Sequence, residues 1–309
     1  VSEDRYILVI GGSNVDITGT SAEAFKQHDS NPGTIKMSPG GVGRNIADNL
    51  ARLGMKVKLL TAVGGDSFGS FLINQCTGAG IDMSHAAVLK NAATSTYAAI
   101  MDDKGDLVAA VSDMDITTLI NCRMLREHKA LINSAELVIA DNNISPDTLS
   151  TLIGMRNGNI LFDAVSGLKL TRVLSLINGI NTVKLNSIEA GILSGINIKT
   201  ANDTEKAADI ISGRNIDNVF ITRGAEGSIY SRGENRWRRK PKSLSITNST
   251  GAGDAFMAGI AYGMFYGKKG GDLLKTASIC ASFAAASEKT VPENLTSIEV
   301  ERIFQGDMK

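Results

Sequence analysis

Apolar residues in this chain fall into short runs separated by stretches of helical spacing, and that alternation is the first guide to the fold. Residues 6–12 are rich in β-branched side chains and end at Gly-Gly, which predicts a first strand. Residues 45–53 place apolar positions at helical spacing and stop at Gly54, a residue suited to a C-cap. Residues 56–63 predict the next strand and 68–76 a further helix. Short apolar strands are predicted at 137–140, 160–163, 182–185 and 218–222, with room for helices at 146–155 and 187–193. Such alternation predicts an α/β fold, a mostly parallel sheet with helices on both faces. Asp141, Asp163, Asn186 and Arg223 follow the strands, at the edge where open α/β sheets bind ligands.

Two stretches break this rhythm. The first, 15–36, is polar and turn-rich; the second, 93–111, alternates like strands around the turn Asp102-Asp-Lys-Gly105. They are expected to be insertions, at approximately 15–37 and 93–112, that pair into a small β-sheet lid on one domain spanning 1–309. A lid has a use in group transfer because it excludes water that would otherwise accept the transferred group.

The chemistry centres on Ser249-Thr-Gly-Ala-Gly-Asp-Ala-Phe256, where small residues precede an aspartate and an apolar helical run. A helix opened by Gly251, Ala252 and Gly253 presents free backbone N–H groups and a positive dipole end to an anion. A carboxylate at Asp254 has no purpose as a phosphate ligand, so its expected role is a base for a hydroxyl proton. Asn14 and Asp16 follow the first strand and point to one side in extended backbone, fit either to hold a polyhydroxylated ligand or to cap a turn. Pro39-Gly-Gly-Val-Gly-Arg-Asn45 enters a helix; Gly41 permits close backbone approach and Asn45 reaches a sugar hydroxyl, unless the glycines only form a bend. Asn186-Ser-Ile-Glu189 reads either as a capping box or as a phosphate-side pair whose Glu189 organises Mg²⁺ through water. Thr222-Arg-Gly-Ala-Glu-Gly227 leaves a strand through a glycine-bearing turn suited to phosphate oxygens. No P-loop or protein-kinase signature is present.

Lys plus Arg and Asp plus Glu both number 32, so charge gives no reason to expect nucleic acid as a partner. The basic run 236–240 is what a solvated hairpin would carry. Cys76, Cys122 and Cys280 lack ligand spacing and suit a reducing, cytoplasmic setting, and no charge-free apolar run reaches membrane length. His28, His85 and His128 are too scattered for a metal site or a triad.

Taken together, the Gly40–Asn45 and Thr250–Asp254 elements, Asn186-x-x-Glu189, Thr222-x-Gly224 and Asn14-x-Asp16 resemble, in the same order, the ribokinase-like (pfkB) carbohydrate kinases. The resemblance implies a ribokinase-like three-layer fold and ATP-dependent phosphorylation of a hydroxymethyl group. It implies Asp254 as base, Gly251 to Gly253 as anion hole, and Asn14, Asp16, Gly41 and Asn45 as substrate contacts. Asn186, Thr222, Gly224 and Gly227 would then line the nucleotide, with Glu189 near Mg²⁺. Many relatives hold K⁺ beside the anion hole, and the matching area is the loop after Thr247 together with 286–290. The lid sheet pairs into a homodimer in many of them. Asp29-Ser-Asn-Pro-Gly33, the 39–47 segment and Ser112-Asp-Met-Asp115 carry a closer likeness to the family's bacterial pseudouridine kinase branch. Asp163-Ala-Val-Ser166 and Lys184-Leu-Asn186 depart from that branch by lacking a proline each. A uracil ring exposes amide-like donors and acceptors, and Thr94, Thr96 and Asp113 are its expected readers. The alternatives are another sugar or nucleoside kinase of the family, or a silent nucleoside-binding protein on the same fold.

Overall fold

The computed structural model describes residues 5–240 and 250–306. Nine strands form the central sheet in the order Asn235–Arg239, Ser228–Arg232, Asn218–Thr222, Thr182–Asn186, Ile160–Asp163, Leu137–Asp141, Ile7–Ile10, Val57–Leu60 and Ile81–Asp82. All neighbours are parallel except the two pairings made by Ser228–Arg232. Successive residues of Ile7–Ile10 supply opposite faces. Ile7 and Val9 join one core with the helices Val42–Arg52, Ala252–Phe265 and Gly270–Ala285; Leu8 and Ile10 join another with Pro146–Met155 and Ala201–Ser212. Burial on both faces is why these strands are continuously apolar rather than alternating. The expected three-layer α/β architecture, a mostly parallel sheet with helices on both faces and a small accessory sheet, is therefore observed.

The predicted strand at 56–63 divides. Val57–Leu60 stays in the main sheet, whereas Ala62–Gly64 pairs with Ala87–Leu89 in a separate two-stranded sheet. The break falls at Thr61, fully buried, whose hydroxyl donates to the Ser13 hydroxyl at 3.1 Å. The basic run at 236–240 lies on the edge hairpin; Arg238 donates to Glu205 at 2.7 Å and Trp237 stacks on Tyr230 at 5.0 Å.

A second sheet of four strands stands apart, in the order Gly33–Gly40, Asn14–Ser21, Thr96–Met101 and Leu107–Asp113. Its base packs Val15 and Ile17 against Phe68 and Leu72 of the helix Ser67–Gly78. Farther out on the same face, Ile35, Met37, Ile100 and Val111 are exposed.

Candidate active site

The site is assembled where strands of the main sheet end. Gly11 and Gly12 close the first strand beside Asp141, a fully buried carboxylate at the end of Leu137–Asp141. Asp141 accepts from the Gly12 amide at 3.0 Å and the Gly43 amide at 2.7 Å, tying the segment that carries Asn14 and Asp16 to the one that carries Gly41 and Asn45. Asn143 adds two more donors, each at 2.9 Å. Burial pushes the Asp141 pKa up, and these hydrogen bonds oppose that shift. A side chain at position 11 would put its Cβ 2.5 Å from the Asp141 carboxylate, which explains the glycine there.

Beyond this clamp, Asn14 donates to Asp16 at 2.6 Å. The Asp16 carboxyl is pushed up by burial, with Asn14 and Arg44 acting in the opposite direction. Gly40 leaves space for it, since a Cβ there would lie 2.3 Å from the carboxylate. Gly41 has φ 96°, a left-handed conformation unfavourable to side chains, and starts the helix Val42–Arg52. Arg44 is buried, bonded to Asp48 at 2.9 Å and to the Asn45 side chain.

Asn45 then joins the early and late motifs. Its side-chain amide donates to Asp254 Oδ2 at 2.7 Å across 209 positions of sequence. Asp254 lies in the first turn of Ala252–Phe265, behind Gly251, whose φ of 82° makes it a left-handed N-cap. The first-turn amides have no intrahelical acceptor, which makes this helix start chemically suited to an anion. A Cβ on Gly251 would meet the Thr290 carbonyl at 2.1 Å. Burial, reinforced by the nearby Asp163 charge, pushes the Asp254 pKa up to about 7 against the pull of Lys184, Asn45 and Arg44.

Lys184 is a residue of the candidate site that motif reading did not single out, naming it only within Lys184-Leu-Asn186 for the proline that segment lacks. Its ammonium is buried, 3.0 Å from Asp163, and 2.8 Å from where a Gly253 Cβ would stand. Burial alone would lower its pKa, yet Asp163, Glu189 and Asp254 outweigh that and raise it, so Lys184 stays charged. The available signal was a lysine inside an otherwise apolar strand, since a buried lysine demands nearby carboxylates.

Asn186 and Glu189 form both bonds of a capping box, at 2.9 and 2.8 Å. Glu189 is buried and its pKa raised by burial, with Lys184 opposing. Thr222 pairs in register with Asn186, so both stand at the same sheet edge. Gly224 and Gly227 have φ of 54° and 105° and turn the chain beyond it, where Arg223 is engaged by Glu226.

Three lid-side positions are placed elsewhere than expected. Thr94 is buried, its hydroxyl bonded to Asp66 at 2.6 Å and its amide to the same carboxylate at 2.8 Å. Thr96 and Asp113 pair with each other, and Thr96 is in register with Val15, whereas Asp16 is in register with Tyr97. Successive strand residues alternate faces, so Thr96 and Asp113 occupy the face opposite Asp16. The structure does not bring them to the Asp16–Asp254 cleft. Residues 248–249 of the expected K⁺ area lie outside the described residues.

With this geometry in place, comparison with known proteins is decisive on family. Residues 4–296 match the description "pfkB family carbohydrate kinase". The chain belongs to the pfkB family. It is 36% identical over 301 residues to a pseudouridine kinase from Escherichia coli (strain K12), covering 96% of each chain. It is 29% identical to a guanosine-inosine kinase from Exiguobacterium acetylicum, covering 95% of this chain and 99% of the relative. Among solved structures, a sugar kinase described as putative from Clostridium perfringens superposes with a TM-score of 0.88 at 31% identity, covering 98% and 96% of the two chains. The protein is therefore an ATP-dependent sugar or nucleoside kinase of this family.

Proposed function

We propose that the chain transfers the γ-phosphate of ATP to the 5′-hydroxyl of pseudouridine, giving pseudouridine 5′-phosphate and ADP. The observation that carries this substrate is the 36% identity to a pseudouridine kinase over 96% of both chains. Asp16 and Asn45 bind ribose hydroxyls, and Asn14 and Gly41 complete that side of the cleft. Asp254 takes the proton of the 5′-hydroxyl as its oxygen bonds to the γ-phosphorus and the bond to the β-phosphate oxygen breaks. The first-turn amides around Gly251, Ala252 and Gly253, together with the Lys184 ammonium, accommodate the charge on the transferring group.

Asn186, Thr222, Gly224 and Gly227 would face the nucleotide phosphates. The adenine base fits a cavity of about 670 Å³ lined by Ile279, Ser282, Phe283 and Ala286; its lining includes Lys289, the sequence neighbour of Thr290, whose carbonyl lies against Gly251. No group of three or more metal-ligating side chains exists among the described residues. Mg²⁺ carried by nucleotide phosphates needs only one or two carboxylates. Glu189 would hold the ion through water, and the ion would supply charge neutralisation at the phosphates. K⁺ near 286–290 is a further expectation of the family.

The four-stranded sheet serves as the lid in this account, and the cytoplasm is its setting. The lid's bare apolar face, with Ile35 80% and Val111 74% exposed, is suited to a second copy of the chain. Val111→Asp is expected to convert a homodimer to monomer in light scattering; an unchanged mass would remove this assembly.

A panel of pseudouridine, uridine, adenosine, inosine, ribose and fructose separates this reading from another family kinase. Turnover on none of them would favour the silent nucleoside binder.

A further inference from the structure

The lid register identifies residues on the substrate side that sequence motifs did not. Asp16 is central in the small sheet, between Ser38 on one neighbouring strand and Tyr97 on the other. Ser38 lies on the strand that runs through Gly40 and Gly41 to Asn45, and Asn45 is bonded to Asp254. That flank therefore leads toward the reacting end of the substrate. A ribose with its hydroxyls on Asp16 and its 5′ end at Asp254 directs C1′ across the sheet toward Thr96–Met101.

On that strand, Tyr97 shares the face of Asp16, and Ser112 stands opposite it on the next strand. Adjacent strands are about 4.8 Å apart, so a tyrosine ring beside Asp16 spans the space over C1′. Tyr97 is half-buried. Among the described residues, no other ring packs on it and no group bonds its hydroxyl. Aromatic rings in protein cores usually stack and their hydroxyls usually find partners, as Tyr230 does with Phe220 and Asn218. Tyr97 has neither, and by register it lies on the sheet face that carries Asp16.

We infer that Tyr97 is the platform on which the nucleobase stacks when the lid closes, with Ser112 facing the edge of the same ring. This rests on the nucleoside-kinase reading. The face that carries Thr96 and Asp113 takes no part in base recognition.

The test is steady-state kinetics of wild type, Tyr97→Ala and Tyr97→Phe with pseudouridine, uridine and ribose as acceptors. Removing a base–aromatic stack is expected to raise the nucleoside KM about tenfold or more in Tyr97→Ala, while Tyr97→Phe stays near wild type. The KM for MgATP is expected to remain within about twofold, which general damage to the fold would not allow. An unchanged nucleoside KM in Tyr97→Ala, in an enzyme that phosphorylates nucleosides, overturns the platform and leaves the substrate class standing. Equal losses in Tyr97→Ala and Tyr97→Phe overturn stacking as the mechanism. A wild type that accepts only free sugars overturns the platform and the nucleoside reading together.

Discussion

Asp254→Asn is expected to lower kcat by about 10²–10⁴-fold, the range typical of a lost general base, with substrate KM values little changed. Asn keeps the shape and an acceptor for the Asn45 amide, which donates to Asp254 at 2.7 Å, so the cleft remains assembled. What is lost is the ability to take the hydroxyl proton. The wild-type pH profile carries the same signature. With the Asp254 pKa pushed up to about 7, kcat/KM should rise as pH increases through that value and level off above it. The sign for stability is opposite. A folded-state pKa above the ordinary carboxylate value stabilises the protein at low pH, and that contribution is lost as pH rises through about 7. Asp254→Asn removes the buried charge, so its thermal midpoint at pH 8 should equal or exceed that of wild type. Unchanged turnover, or a lower midpoint at pH 8, would count against the base assignment.

Lys184→Met is the second large effect. It removes the partner of Asp163, 1% exposed, and the cation on which Glu189 and Asp254 also act. Breaking a buried pair by deleting one member costs about 3–5 kcal/mol. Denaturant unfolding should show that loss, and turnover should fall because no ammonium remains beneath Gly253. Without Lys184 the Asp254 pKa climbs further, so the residual pH profile should shift to higher pH. The pair Lys184→Met with Asp163→Asn should recover part of the stability but not the rate. Recovery of both would reduce Lys184 to a packing role.

These two residues illustrate what the chain shows before its structure is known. Asp254 was visible because glycines before an aspartate at a helix start have a chemical reading of their own. The strands of the main sheet were visible because sheets covered on both faces leave continuous apolar runs, as Ile7–Ile10 and Leu137–Asp141 do. Lys184 and Asp141 were harder to read. Their roles depend on partners distant in sequence: Asp163 for the first, the Gly12 and Gly43 amides for the second. The facing of residues in the small sheet was hidden for another reason. Alternation located its strands, but the facing of Thr96 and Asp113 depends on pairing with Asn14–Ser21, and a shift of one residue exchanges the two faces. The predicted strand at 56–63 divides at Thr61, whose buried hydroxyl bonds Ser13, a partner distant in sequence.

The most direct measurement is ADP release by the purified protein with MgATP, run in parallel on pseudouridine, uridine, adenosine, inosine, ribose and fructose. Turnover should be dominated by pseudouridine, and mass spectrometry should show a 5′-monophosphate. Preference for ribose, fructose or another nucleoside would contradict the proposed substrate, and turnover on none of them would contradict the proposed reaction.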